Sequence, residues 1–243
     1  MISERMKRWI RRASNGLGLE IGRYRPEATE IGGLAAMLAI HKVDLVFDVG
    51  ANVGQFGHAL RDAGYAGRMV SFEPLAHAHA ELVRACSSDP QWDAAQRVAV
   101  GDHEGEIEIH VAGNSVSSSA LPMLERHADA APQSVYIGAE RVRVARLDAL
   151  APGYLRPGTV PFLKIDTQGY EDRVLEGASG LMDQLVGLQL EMSMVPLYEG
   201  QKLFDAMHAR LRESGYSAWA FWPGFREPRS GRMLQMDAIY FRD

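Results

Sequence analysis

The sequence predicts an α/β fold in which helices cover both faces of a doubly wound parallel sheet. Short apolar runs, many of them β-branched or aromatic, alternate with helical stretches from about residue 43 to the end of the chain. Most of these runs lack the polar alternation of half-exposed strands, which is typical of parallel strands buried on both faces. Because parallel crossovers are right-handed, the sheet is expected to be doubly wound. A chain of 243 residues that is 47% hydrophobic is long enough to bury the core that such a fold needs.

The expected strands and helices alternate in order along the chain. The first strand, 43–49, ends at Gly50, and the helix after it, 55–63, is closed by Gly64. Further strands are expected at 68–72, 96–100, 162–165, 186–192, 218–222 and 237–241, with helices near 78–85, 171–178 and 201–213. In the last of these helices, Leu203, Met207 and Leu211 lie on one face by their spacing.

One segment interrupts this alternation. Residues 106–111 and 141–147 alternate polar and apolar side chains, as half-exposed strands do. Between them, 112–140 is rich in Ser, Ala and Pro, and we interpret it as a loop with one short helix near 121–130. The chain is therefore expected to consist of an N-terminal helical and basic segment, 1–42, and one domain, 43–243, with a loop and strand insertion at about 106–147.

Composition and charge argue against several classes of protein. The net charge of −5 argues against non-specific binding of nucleic acid, which depends on Lys and Arg. Cys86 is the only cysteine, so neither an intrachain disulfide nor a Cys-rich zinc site is expected. A reducing, cytoplasmic compartment is the expected location. The longest apolar run, 34–40, is much shorter than the ~18 residues that span a bilayer, and no secretory leader is recognised.

The N-terminal segment differs from the rest of the chain in charge. Residues 1–25 contain seven basic and two acidic residues, a net charge of +5, so the remainder carries −10. Met6, Trp9 and Ile10 lie between the charges. A solvated helix or a frayed tail is the default interpretation of this pattern, and peripheral contact with an anionic lipid surface or a glycolipid aggregate is the alternative.

The turn after the first strand predicts a ligand site. Gly50 and Gly54 are four residues apart, with Asp48 before them and Asn52 between them, and the third glycine of a dinucleotide fingerprint is missing. A carboxylate at this position suits a cationic or amine-bearing ligand better than a phosphate. The expected binding residues in this turn are Asp48, Gly50, Asn52, Gly54, Gln55 and Phe56.

Two further strand ends carry acids. Glu73, followed by Pro74, ends the second strand and suits the two hydroxyls of a ribose. Gly101 and Asp102 follow the third expected strand, where the carboxylate can accept a hydrogen bond from an adenine amine. Together these residues predict a nucleoside that carries a charged tail, and S-adenosylmethionine fits this description. A nicotinamide cofactor is disfavoured by the missing glycine.

From Val46 to Phe241 the sequence resembles the FkbM family of S-adenosylmethionine-dependent methyltransferases. The resemblance is carried by residues 47–56, 72–74, 100–105, 117–119, 147–148, 163–171, 174–178, 190–191 and 195–200. Gln168 departs from the pattern, because members of the family often carry Glu there. The resemblance implies a class I methyltransferase fold, with a Rossmann-like seven-stranded sheet whose last strand, 237–241, is antiparallel. It also implies methyl transfer to an oxygen, often a sugar hydroxyl.

The catalytic candidates are Asp166 and Glu191, which follow or end two central strands. Either can serve as the base for a weakly acidic hydroxyl, and together they can hold a divalent cation such as Mg²⁺. Capping of the next helix or pairing with an arginine is the structural alternative for each acid.

Other residues are assigned to the cofactor or to the acceptor. Ser118 is expected to border the cofactor, and Tyr198 and Trp222 to stack on a sugar ring, with buried packing as their alternative role. The expected acceptor is a small molecule or a glycolipid and not a nucleic acid. Non-sugar hydroxyls, peptide side chains and a non-catalytic binding module remain open as alternatives.

Overall fold

A computed structural model describes residues 3–16 and 29–242 of the chain. The helices are α1 (Glu4–Asn15), α2 (Glu30–Ile40), α3 (Gln55–Asp62), α4 (Ala76–Cys86), α5 (Glu125–Ala130), α6 (Leu147–Leu150), α7 (Glu171–Gly177) and α8 (Phe204–Glu213). The strands are β1 (Leu45–Val49), β2 (Arg68–Phe72), β3 (Trp92–Ala94), β4 (Ala99–Val100), β5 (Gly105–Ala112), β6 (Tyr136–Ala145), β7 (Pro161–Ile165), β8 (Gly187–Ser193), β9 (Tyr216–Pro223) and β10 (Gln235–Arg242). Residues 17–28 of the predicted basic segment lie outside the described residues.

Seven strands form the main sheet in the order β3-β2-β1-β7-β8-β10-β9. The pairs from β3 to β8 are parallel, whereas β10 runs antiparallel to both β8 and β9. The chain moves from β1 toward one edge of the sheet and returns at β7 to build the other edge. This topology confirms the predicted doubly wound, seven-stranded sheet with an antiparallel last strand.

Alternate residues of each strand enter two separate cores. On one face, Phe47 and Leu163 pack with residues of α7 and α8. On the other face, Val46 and Phe162 pack with Leu34 of α2 and with residues of α3 and α4. The helix α2 falls within the predicted segment 1–42, yet it shares its core with the sheet.

The third strand of the main sheet is not the predicted one. We expected it at 96–100, but β4 pairs with β6 in a separate three-stranded sheet, β4-β6-β5. The main sheet uses β3 instead, whose three residues include a charged Asp93 and are too few for a periodic pattern. The buried Trp92 anchors this strand, because its indole Nε1 donates to Ser71 Oγ at 3.0 Å.

The insertion has the predicted pair of half-exposed strands. β5 and β6 pair antiparallel, with Gly105 opposite Val144. β6 begins earlier than predicted, at Tyr136, and Leu147 opens the short helix α6. The helix α5 lies within the predicted range of 121–130.

Candidate active site

A cavity of about 260 Å³ opens at the carboxyl ends of β1, β2 and β7, next to the point where the strand order reverses. Open α/β sheets bind their ligands at this point. The lining includes eight of the predicted site residues: Gly50, Asn52, Gln55, Phe56, Glu73, Pro74, Ser118 and Asp166. The second sheet adds an apolar wall of Val100, Ile107 and Ile109, which the sequence did not predict.

The turn after β1 holds the strand ends close together. Gly50 has φ +81°, and a Cβ there would lie 1.8 Å from the carbonyl oxygen of Asp166. Only glycine allows the backbones after β1 and β7 to approach this closely. The Asn52 amide side chain donates to Ser115 Oγ at 3.2 Å, which ties the same turn to the insertion.

Glu73 connects two backbone segments at the cavity wall. Its Oε2 accepts a hydrogen bond from the Asn52 N–H at 2.9 Å, and its Oε1 accepts one from the Leu75 N–H at 2.8 Å. Burial raises the pKa of Glu73 to about 7, although both N–H groups act to lower it. Each carboxylate oxygen has capacity for a second donor, so the side chain can still accept hydrogen bonds from a ligand.

Lys164, which is not among the site residues predicted from the sequence, places a cation beside this turn. Its Nζ lies 3.1 Å from Asp48 Oδ1, 3.5 Å from Asp166 Oδ2 and 5.2 Å from the centre of the Phe56 ring. Burial alone would lower the pKa of Lys164, but the two carboxylates outweigh it and raise the pKa. The available signal was a lysine inside an otherwise apolar strand.

Asp48 is held away from the ligand space. It is 1% exposed and does not line the cavity, and its Oδ2 accepts a hydrogen bond from Ser71 Oγ at 3.1 Å. We expected this carboxylate to face a cationic ligand. In the structure Lys164 supplies the cation, because Asp48 and Lys164 are direct neighbours in the β1–β7 register.

Gln168 joins the two catalytic candidates. Its Nε2 donates to Asp166 Oδ1 at 2.9 Å and to Glu191 Oε2 at 2.6 Å, and its Oε1 accepts from the Tyr198 hydroxyl at 2.7 Å. Glu191 Oε2 also accepts from Gln235 Nε2 at 2.7 Å. Burial and the neighbouring Asp166 raise the pKa of Glu191 well above its usual value. Asp166 lines the cavity, whereas Glu191 does not.

These contacts do not fit the divalent cation that we expected at Asp166 and Glu191. The two amide hydrogens of Gln168 are directed at the carboxylates, in the place where a shared cation would have to bind. A cation site needs oxygen acceptors at that position and not N–H donors. Within residues 3–16 and 29–242, no group of three His, Cys, Asp or Glu side chains is arranged to hold a metal ion.

The structure does not bring the expected adenine ligands to the cavity. Asp102 Oδ1 lies 2.7 Å from His103 Nδ1, and its Oδ2 accepts from Arg173 at 3.0 Å. Val100 of β4 lines the cavity, but Gly101 and Asp102, which follow it, do not. The apolar wall described above occupies the corresponding side of the site.

Three other expected site residues also have structural roles. Tyr198 is fully buried, so it has no free face on which a sugar could stack. Trp222 packs against the core under α2 and α3 instead of facing the cavity. Gly54 is the N-cap of α3 in a left-handed conformation, next to the Trp92 ring, and does not line the cavity.

Solved structures of methyltransferases are similar to this chain at low sequence identity. The O-methyltransferase TomG from Streptomyces achromogenes, involved in tomaymycin synthesis, is 10% identical over 100% of this chain and 92% of its own, with a TM-score of 0.47. An rRNA methylase from Streptococcus thermophilus is 13% identical over 91% of this chain and 99% of its own, with a TM-score of 0.47. Similarities at this level say nothing about the acceptor.

The family is identified by sequence. No curated protein is significantly similar to this chain. The family model described as the methyltransferase FkbM domain matches residues 48–218, which include the turn after β1, Glu73, Lys164 and the Asp166–Gln168–Glu191 network. With its class I sheet and its cavity at the strand ends, the chain belongs to the FkbM family of S-adenosylmethionine-dependent methyltransferases.

Proposed function

We propose that this protein transfers the methyl group of S-adenosylmethionine to a hydroxyl oxygen of a sugar in a glycolipid, a polysaccharide or a glycosylated natural product. The observation that carries this proposal is the position of Asp166. Its carboxylate is 37% exposed at the cavity wall and is oriented by Gln168 and Lys164. A hydroxyl that accepts a methyl group must lose its proton, and a positioned carboxylate can take it.

The residues that line the cavity support binding of the cofactor, and this proposal includes no metal ion. Glu73 is suited to the two ribose hydroxyls, and the apolar wall of Val100, Ile107 and Ile109 is suited to the adenine ring. The backbone of Gly50 and the neighbouring Ser118 border the remaining space, which we assign to the methionine portion. When bound, the cofactor supplies a methyl group that is already activated on a sulfonium ion.

The protein's own contribution is orientation and proton transfer. Holding the acceptor oxygen in line with the methyl group can supply roughly 7–11 kcal/mol of the barrier. As the oxygen–carbon bond forms and the sulfur–carbon bond breaks, Asp166 accepts the proton of the acceptor hydroxyl. Glu191 is less suited to this role, because it does not line the cavity.

The charge of the chain bears on the choice of acceptor. The net charge of −5 disfavours a nucleic acid, and we propose a small-molecule or glycolipid acceptor in the cytoplasm. Methylation of a non-sugar hydroxyl or of a peptide is the second candidate. A binding module without activity is disfavoured by the accessible Asp166 carboxylate.

The test combines an acceptor screen with one substitution. The purified chain is incubated with methyl-labelled cofactor and a panel of hexosides, deoxyhexosides, phenols and peptides, with and without EDTA. We expect a methyl ether on a glycoside, and Asp166→Asn should lower kcat by about 10²–10⁴-fold while the affinity for S-adenosylhomocysteine is retained. Asp62→Asn, at an exposed carboxylate of α3, is the matched control.

Two outcomes would contradict the proposal. Labelling of peptides or phenols but of no glycoside would exclude the sugar acceptor. Equal losses of turnover and of cofactor affinity in Asp166→Asn would make Asp166 a cofactor ligand and not the base.

A further inference from the structure

The helix α1 presents an exposed apolar side. Met6, Trp9 and Ile10 have the i, i+3, i+4 spacing that places side chains on one face of a helix. Met6 is 53% exposed and Trp9 is 68% exposed, so this face is not part of either core of the sheet. The helix is capped at its start, because Ser3 Oγ accepts the Met6 N–H at 3.3 Å.

Basic residues flank the apolar side of α1. Arg5, Arg8 and Arg12 are exposed, and Arg5 and Arg12 are four and three residues from Trp9, so they border the apolar stripe along one edge. They belong to the segment 1–25, which carries +5, whereas the rest of the chain carries −10. A negatively charged surface would therefore attract α1 and repel most of the remaining protein surface.

We propose that α1 binds the surface of membranes that contain anionic lipids. The apolar stripe would enter the boundary between headgroups and acyl chains, where Trp is favoured, and the arginines would contact lipid phosphates. Each Lys or Arg near an anionic membrane strengthens partitioning about fivefold. This role goes beyond methyl transfer, because it does not depend on the identity of the acceptor.

The size of α1 favours a membrane surface over the other occupants of such a face. A stable protein–protein interface buries about 800 Å² on each partner, whereas this 12-residue helix is only about 18 Å long and has three large apolar side chains. Pairing of two copies along α1 would also bring like charges together. None of the helices in the described part of the chain has the length and hydropathy needed to cross a bilayer.

The test is co-sedimentation of the full chain with vesicles of phosphatidylcholine alone and of phosphatidylcholine mixed with phosphatidylglycerol. We expect binding to the anionic vesicles only, and release at high salt because the attraction is screened. The triple variant Arg5→Glu, Arg8→Glu, Arg12→Glu should lose at least about 100-fold in partitioning, because it removes three attractive charges and adds three repulsive ones. Trp9→Ser should weaken binding while leaving the thermal unfolding of the sheet domain unchanged.

The matched control makes the same charge change elsewhere. Arg226, Arg229 and Arg232 are exposed in the connection between β9 and β10, and their replacement by Glu should leave vesicle binding within about twofold of wild type. Equal binding to neutral vesicles, no binding to anionic ones, or equal losses in the two triple variants would overturn the proposal. If the wild type binds no vesicles and Trp9→Ser differs from it in oligomeric state, the apolar face of α1 contacts a second copy of the chain instead.

Discussion

At the scale of single residues, the site depends on charges that pair across strands. Asp48 was recognisable in the sequence as an acid before a glycine turn, but its partner Lys164 lies 116 residues later. Their contact follows from the β1–β7 register, which no local pattern reveals. Glu73 was predictable because it comes directly after a strand. Gln168 was not, because the two acids that it contacts, Asp166 and Glu191, are brought together only by the fold.

Removal of the buried cation should destabilise the protein. In Lys164→Met, the carboxylates of Asp48 and Asp166 lose their neutralising partner, and breaking a buried pair costs roughly 3–5 kcal/mol. Urea denaturation measures this loss. The double variant Asp48→Asn, Lys164→Met should recover part of the stability, and a loss below about 1 kcal/mol in the single variant would contradict the pairing.

The amide of Gln168 should make the enzyme independent of divalent cations. EDTA should leave turnover unchanged, because N–H donors occupy the space between Asp166 and Glu191. Gln168→Glu replaces these donors with a third carboxylate, so this variant should bind Mn²⁺ in a calorimetric titration where the wild type does not. Mn²⁺ binding by the wild type, or turnover lost in EDTA, would contradict the assignment.

At the scale of elements, the apolar pattern predicted the central strands of the main sheet and missed the edge strand β3. β1, β2, β7 and β8 are apolar runs whose position is clear from sequence. β3 has three residues and is held by a tertiary contact of Trp92, so no local pattern could distinguish it. The expected third strand belongs to the second sheet, and Asp102 after it pairs with His103 and Arg173 instead of lining the cavity.

The contact between α3 and β3 gives a prediction of its own. Gly57→Ala would usually stabilise a helix by up to about 1 kcal/mol, yet here the new Cβ would lie 2.2 Å from the Trp92 ring. We therefore expect a destabilisation of about 1–3 kcal/mol by overpacking, measured by thermal unfolding. Combination with Trp92→Leu should remove most of the additional cost. A stabilised Gly57→Ala would show that the ring does not pack there.

At the scale of the whole molecule, the fold class was predictable and the cavity only in part. The alternation of strands and helices places the ligand site at the strand ends, and eight predicted residues line it. The apolar wall depends on how the second sheet packs against the main one, which no local sequence pattern shows. The sequence shows the N-terminal segment as a cluster of basic residues. That the apolar face of α1 is exposed could be learned only from the structure.

Buried carboxyls should make the stability of the molecule depend on pH. Burial raises the pKa of Glu73 and Glu171 to about 7 and that of Asp237 to about 6. Between about pH 5 and 7 the folded chain retains protons that the unfolded chain releases. The contribution of these groups to the free energy of unfolding therefore falls as the pH rises. His127, whose pKa burial lowers to about 4, acts in the opposite sense.

The contribution of Glu73 can be isolated by substitution. Urea denaturation of wild type and Glu73→Gln is compared from pH 5 to pH 7, a window that follows from the pKa of about 7. The difference between their free energies of unfolding should change by up to about 1.4 kcal/mol per pH unit, with the wild type losing more as the pH rises. A difference that does not depend on pH would mean that Glu73 is ionised throughout.

The central claim is that the cavity at the ends of β1, β2 and β7 binds a nucleoside with a sulfur-containing tail. Calorimetric titration with S-adenosylhomocysteine tests this most directly. We predict one site per chain, affinity lowered about 10–100-fold in Glu73→Ala through the lost ribose hydrogen bonds, and no binding of NAD. Undiminished binding by Glu73→Ala, or NAD binding that competes with S-adenosylhomocysteine, would contradict the account.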